Sequence, residues 1–132
     1  MNLKSILVIE DHESIRKIIG RFLSRYYQVV TKADGLEGLA YLNQGNFPDL
    51  IILDMTMPRI NGLEFLSNIR SSGFFRHIPI VIVSGEENNK LIEKCQQLGI
   101  SGFVAKPFNP FELKEKIHST LSNSGTNPSA VA

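Results

Sequence analysis

Five short apolar runs punctuate the chain: Ile6 to Ile9, Tyr27 to Thr31, Leu50 to Leu53, Ile78 to Val83 and Gly102 to Ala105. Most are continuously apolar rather than alternating, the pattern of strands covered on both faces, as in a parallel sheet. The run at Tyr27 is the least apolar and reads as an edge strand. Between the runs the apolar positions switch to helical spacing. The clearest stripe is Ile15, Ile18, Ile19, Phe22, Leu23 and Tyr26, which fall at i, i+3, i+4, i+7, i+8 and i+11 and predict one buried helix face. Shorter stripes follow in Leu36, Leu39 and Ala40, in Leu63, Leu66 and Ile69, in Leu91, Cys95 and Leu98, and in Leu113, Ile117 and Leu121. Four helix starts carry a capping-box spacing: Asp34 to Glu37, Asn61 to Glu64, Ser84 to Glu87, and Asn109 to Glu112 with Pro110 at the first helical position.

The order is therefore β-α repeated five times. It predicts an α/β, (βα)5 fold: a doubly wound, five-stranded parallel sheet with helices on both faces. The flavodoxin-like strand order 2-1-3-4-5 is the expected arrangement. The 132 residues are the size of one ordinary domain, and 42% hydrophobic content fills one core. Residues 1–122 are expected to form that domain. From Asn123 to Ala132 the residues are mainly small or polar, with Gly125 and Pro128, and read as a disordered tail or linker stub.

Charge changes the picture only by exclusion. Fourteen basic and 13 acidic residues nearly cancel, so no overall field favours nucleic acid or a membrane surface, and any partner is recognised locally. Cys95 is the only cysteine, which excludes an internal disulfide and fits a reducing compartment, the cytoplasm by default. Met1 to Ser5 lead into a short strand-like run without the pattern of a signal peptide, and no apolar run approaches transmembrane length.

Candidate chemistry gathers at the strand ends. A parallel sheet delivers the C-terminal end of every strand to the same edge. Here the first strand ends in Glu10-Asp11, the third in Asp54, the fourth in Ser84 and the fifth in Lys106. In the order 2-1-3-4-5 the first and third strands flank the topological switch point, so the carboxylates line its crevice. At ~4 Å and an effective dielectric of about 20, one carboxylate pair costs roughly 4 kcal/mol. Lys106 offsets one charge and leaves about two negative, a balance suited to Mg²⁺, which is held by one or two carboxylates plus phosphate oxygens. Asp54 then fits a nucleophile toward a phosphoryl group whose charge is spread over the cation and the Lys106 ammonium.

At these residues the chain resembles the response-regulator receiver family of two-component signalling, the CheY-like group, over roughly Lys4 to Leu121. The acid pair Glu10-Asp11, the acceptor Asp54, the loop Met57-Pro58-Arg59-Ile60-Asn61-Gly62 and the hydroxyl in Val83-Ser84-Gly85 match the family pattern in order. So do the aromatic Phe103 and Lys106-Pro107-Phe108. The resemblance implies a signalling switch that catalyses its own phosphorylation and dephosphorylation rather than an enzyme for an external substrate. It implies Mg²⁺ on Asp11, Asp54 and the Thr56 carbonyl, with Glu10 acting chiefly through water, and Lys106 on a phosphoryl oxygen. It implies that Ser84 moves to the phosphoryl group and that Phe103 rotates into the vacated space, reshaping the surface of the fourth helix, fifth strand and fifth helix. The donor is then a histidine kinase or histidine phosphotransfer protein, and the output a downstream protein or onward relay, with no nucleic-acid binding and no membrane insertion. A cis bond before Pro107 is also implied. Thr56 and Glu86 depart from the family's commonest residues and are expected to modulate the lifetime of the phosphate. Gly99-Ile100-Ser101-Gly102 stands where one DNA-binding branch has an acidic stretch, so that branch's dimer is not expected.

Plainer readings stand beside these. Asp11 or Ser84 alone reads as a helix cap, Phe103 alone as core, and Cys95 as an inert member of an apolar stripe. His12, His77 and His118 are scattered without ligand spacing. Arg16, Lys17, Arg21 and Arg25 place positive charge on the outer side of the first helix, where the family docks the four-helix bundle of its phosphodonor. Two other functions compete. A haloacid-dehalogenase-like phosphatase wants an acid two residues after the nucleophile, where this chain has Thr56. A pseudo-receiver lacks the aspartate, acid pair or lysine, all present here.

Overall fold

The computed structural model describes residues 3–57, 59–85 and 89–126. Strands and helices alternate as β1 (Ser5–Ile9), α1 (Glu13–Leu23), β2 (Gln28–Lys32), α2 (Gly35–Asn43), β3 (Leu50–Asp54), α3 (Gly62–Ser71), β4 (Ile80–Ser84), α4 (Asn89–Leu98), β5 (Gly102–Ala105) and α5 (Pro110–Thr126). All pairings are parallel, as the run pattern predicts, and the strand order is β2-β1-β3-β4-β5, the flavodoxin-like arrangement expected for it. The fold is α/β and flavodoxin-like.

Side-chain alternation divides the strands between two cores. Leu7 and Ile9, Ile51 and Leu53, and Ile80 and Ile82 join Leu42, Phe65, Leu66, Ile69 and Cys95 of α2, α3 and α4. Ile6 and Val8, Leu50 and Ile52, Val81 and Val83, and Val104 join Ile19 and Leu23 of α1 and Leu113 and Ile117 of α5. β3 and β4 are buried along their whole length, which is why their sequences show no polar alternation. β2 lies at an edge and has only exposed and half-buried positions, as the weakest run implies.

The caps form with local variations. Asn61 and Glu64 make the full reciprocal box at the start of α3. Asp34 accepts from Glu37 N, but the Glu37 carboxylate reaches back to Ala33 N rather than to Asp34. Asn109 accepts from Phe111 N, one residue earlier than a box requires. The box expected from Ser84 to Glu87 falls partly outside the described residues, since Glu87 is not among them; Ser84 closes β4 and α4 is described from Asn89. Asp11 is not a cap, because His12 occupies the N-cap position of α1.

Two expectations for α1 need correction. Ile18, placed on the buried stripe by spacing, is 57% exposed, whereas Ile19 and Leu23 are buried over the sheet with Ile15 and Phe22 half-buried against the same core. Arg25 lies beyond the end of α1, and Arg16 is not on a solvated face: its guanidinium donates to the Glu10 carbonyl at 2.9 Å and the Asp11 carbonyl at 3.4 Å. Lys17 pairs with Glu13 at 3.1 Å, which offsets repulsion from the neighbouring cations. α5 continues to Thr126, past the boundary at 122 expected from composition; residues 127–132 lie outside the described residues. Among the described residues no helix is long and apolar enough to cross a membrane.

Candidate functional site

The register aligns the strand ends. Ile9 pairs with Leu53 and Asp54 with Val83, so Glu10, one residue past β1, lies beside Asp54 at the end of β3. Ser84 pairs with Ala105, and Lys106 N donates to the Ser84 carbonyl at 2.8 Å, which fixes Lys106 at the same edge. By alternation Glu10, Asp54 and Lys106 continue the α1–α5 side of the sheet. Ser84 and Phe103 continue the opposite side, where Phe103 is half-buried against the core that includes Leu91, Leu98 and Cys95. The peptide bond between Lys106 and Pro107 is cis.

Carboxylate oxygens of Glu10, Asp11 and Asp54 all lie within 4.8 Å of one another. Glu10 and Asp54 are each 2% exposed, whereas Asp11 opens to solvent. Lys106 Nζ stands 3.2 Å from Glu10 Oε1 and 3.4 Å from Asp54 Oδ1, so a single ammonium serves two buried acids. Thr56 N donates to Asp54 Oδ1 at 3.2 Å, and His12 N to Glu10 Oε2 at 3.1 Å. Burial, the Glu10 charge and a hydrogen bond shared with Asp11 push the Asp54 carboxyl up to about 7, against the pull of Lys106 and the Thr56 N–H. Such a cluster holds excess negative charge, and a hard divalent cation on its oxygen donors relieves it. The donor set therefore fits Mg²⁺.

Gly62 permits the close approach of α3 to this edge. Its N–H donates to the Met55 carbonyl at 3.1 Å, and a Cβ there would lie 2.6 Å from Met55 Cα and 2.8 Å from the Asp54 carbonyl oxygen. Of the residues singled out from sequence, the structure gathers Glu10, Asp11, Asp54, Thr56 and Lys106, with Ser84 buried beside them at the end of β4. Glu86 lies outside the described residues. Cys95 is buried and its thiol is pushed up by burial, as its place on an apolar stripe implies.

Sequence reasoning missed two arginines. Arg70 donates to the carbonyls of Gly99, Arg76 and Ile78 and so ties α3 to two loops. Arg59, read only as a variable loop position, pairs with the buried Asp34. Neither has a local signal, since Asp34 is 25 residues from Arg59 and Arg70 binds backbone carbonyls, which side-chain patterns do not mark.

Comparison with known proteins adds an independent line. The sequence profile of the response regulator receiver domain matches residues 6–118. The chain is 32% identical over 118 residues to chemotaxis protein CheY-3 of Vibrio cholerae, covering 88% of this chain and 89% of that protein. It is 38% identical over 116 residues to hybrid signal transduction histidine kinase D of Dictyostelium discoideum, covering 88% of this chain but 7% of that much longer protein. Among solved structures, CheY4 of Vibrio cholerae superposes with a TM-score of 0.82 at 30% identity, over 89% of this chain and 98% of that one. The phosphorylated cyanobacterial phytochrome response regulator RcpA superposes with a TM-score of 0.79 at 28% identity, over 94% of this chain and 95% of that one.

Proposed function

This chain belongs to the response regulator receiver family, and from that premise we propose that it is a phosphoacceptor switch, in which Asp54 takes a phosphoryl group from a histidine kinase or histidine phosphotransfer protein in a Mg²⁺-dependent step. The observation that carries the reading is the buried Asp54 carboxylate set against Glu10, Asp11 and the Lys106 ammonium.

Asp11, Asp54 and the Thr56 carbonyl would hold Mg²⁺, with Glu10 acting through water, and the bound cation supplies charge neutralisation at the phosphoryl oxygens. Asp54, relieved of its neighbours' repulsion, ionises at neutral pH and attacks phosphorus. The O–P bond forms as the donor's N–P bond breaks, and the leaving imidazole keeps the electron pair. Lys106 holds a phosphoryl oxygen, and the Ser84 hydroxyl takes another. Water later attacks phosphorus and restores the carboxylate, and Thr56 and Glu86, the positions that depart from the family's commonest residues, set how long that takes. The product is a doubly charged group in a site built around one ammonium, so the phosphorylated state favours a different arrangement of Ser84 and Phe103. Their shared side of the sheet supports a route from the phosphoryl group to the α4-β5-α5 surface, where a downstream protein or a further relay partner reads the state.

Donor docking is supported by the surface next to Lys106. Ile15, Ile18 and Ile19 of α1 and Pro107, Phe108 and Pro110 line an apolar cleft of about 390 Å³. The exposed Ile18 gives that cleft an unburied apolar wall, suited to a helical bundle that brings its phosphohistidine to Asp54.

The test is intact mass after incubation with acetyl phosphate and Mg²⁺. The parent is expected to gain one phosphoryl group, and Asp54→Asn, or the parent in chelator, none. Labelling that persists in Asp54→Asn, or rapid turnover of acetyl phosphate without an adduct, refutes the switch.

A further inference from the structure

The loop that follows Asp54 is fastened to the start of α2 at two adjacent points. The Arg59 guanidinium pairs with the Asp34 carboxylate, which is buried at the N-cap of α2 while Arg59 itself is half exposed. The next residues in each loop also meet: a Cβ on Gly35 would lie 2.5 Å from Ile60 Cγ2 and 3.3 Å from the Ile60 carbonyl oxygen. Arg59 adopts φ 68°, a left-handed conformation that a side chain disfavours and that something must hold. Asp34 is well prepared to do so. Although burial acts to raise it, the Glu37 N–H and the Arg59 guanidinium hold its carboxyl below the usual range. The pair lies outside the acid cluster, since neither Asp34 nor Arg59 is among the residues that approach Asp54.

We propose that the Asp34–Arg59 ion pair is a positioning brace for the loop carrying Thr56, setting the backbone that faces Asp54 before any cation or phosphoryl group arrives. The inference rests on the assignment of the Thr56 carbonyl to Mg²⁺ and adds two residues that act through it. Thr56 N already donates to Asp54, and Gly62 N to Met55, so the loop is held at both ends by backbone bonds. Between them the brace is a polar tie to a different element. It makes the geometry of the metal-binding backbone depend on the start of α2, remote in sequence from every cluster residue.

Arg59→Gly separates positioning from mere stability, because it removes the pair and at the same time relieves the left-handed strain. Asp34→Asn keeps a side-chain acceptor for Glu37 N and removes the charge. Two readouts apply: Mg²⁺ affinity by calorimetry, and hydrogen exchange at the Thr56, Met57 and Ile60 amides in the metal-free chain. Each variant is expected to weaken Mg²⁺ binding by about two- to fivefold, the range for loss of a partly screened ion pair, and to speed exchange in the loop. Arg59→Lys should recover part of both, and the double variant should be no worse than either single one. Arg59→Gly with unchanged loop exchange overturns the brace, as does faster exchange with unchanged Mg²⁺ affinity. If the parent binds no Mg²⁺, the metal assignment and the brace's purpose fail together; if the parent binds it and Arg59→Gly binds equally, only the brace fails.

Discussion

Replacing Asp54 by Asn should make the metal-free protein more stable, and by an amount that grows with pH. The buried Asp54 carboxyl is raised from 3.8 to about 7 in the folded chain, chiefly by burial and by Glu10. In the unfolded chain it returns to about 3.9. Between these values the folded state binds the additional proton, so stability falls as pH rises from about 4 to about 7 and the cost is fully present above that. At ~1.4 kcal/mol per pH unit, Asp54 costs the fold about 4 kcal/mol at pH 8, where it is ionised, and about 1.5 kcal/mol at pH 5, where the folded chain keeps it protonated. Coulomb's law gives a compatible figure. Two carboxylates with oxygens within 4.8 Å oppose Asp54, by roughly 3–4 kcal/mol each at an effective dielectric of about 20. The Lys106 ammonium at 3.4 Å offsets this, by about 5 kcal/mol on the same basis, and desolvation supplies the remainder. Urea unfolding of parent and Asp54→Asn in chelator at pH 5 and pH 8 measures the effect. The variant should gain about 4 kcal/mol at pH 8 and about 1.5 kcal/mol at pH 5, and millimolar Mg²⁺ should narrow the gap by stabilising the parent. A variant no more stable than the parent at pH 8, or a gain independent of pH, would refute the reasoning.

Other expectations follow from the same geometry. Lys106→Ala leaves Glu10 and Asp54 uncompensated and should destabilise the metal-free protein at pH 8 by ~3 kcal/mol; in urea melts, adding Asp54→Asn should restore most of the loss. Ile18→Arg, or reversal of Lys17 and Arg21 to Glu, should slow phosphotransfer from the donor protein while labelling by acetyl phosphate stays at the parent rate, and equal loss in both assays would place these residues outside donor docking. Gly62→Ala forces a Cβ to 2.6 Å from Met55 Cα, so it should cost about 1–3 kcal/mol or more by denaturant unfolding. Gly73→Ala, where nothing lies within 4 Å, should stay within about 0.5 kcal/mol of the parent.

The fold was legible because four of the five strands announce themselves by short apolar runs set between segments of helical spacing. Leu50 to Leu53 and Ile80 to Val83 have no polar alternation because helices cover both their faces. The site was legible for a related reason: Glu10, Asp54, Ser84 and Lys106 interrupt or terminate those runs, and a parallel sheet carries all such interruptions to one edge. What spacing could not reveal was how wide each helix's contact with the sheet would be. Ile18 keeps the period of α1 yet remains exposed, while Ile15, Ile19, Phe22 and Leu23 are the stripe members that pack against the sheet. The Asp34–Arg59 pair and the three carbonyls gathered by Arg70 join segments that only the folded chain brings together, so no local pattern encodes them.

The most direct measurement is to trap the acyl phosphate chemically and locate it. After incubation with acetyl phosphate and Mg²⁺, borohydride reduction converts a phosphorylated aspartate to homoserine, which tandem mass spectrometry assigns to a position. Homoserine at Asp54, absent when Mg²⁺ is chelated and reduced in Lys106→Ala, is the expected result. Homoserine at Asp11, Asp34 or another carboxylate, or modification of Asp54 that proceeds equally well without Mg²⁺, would contradict it.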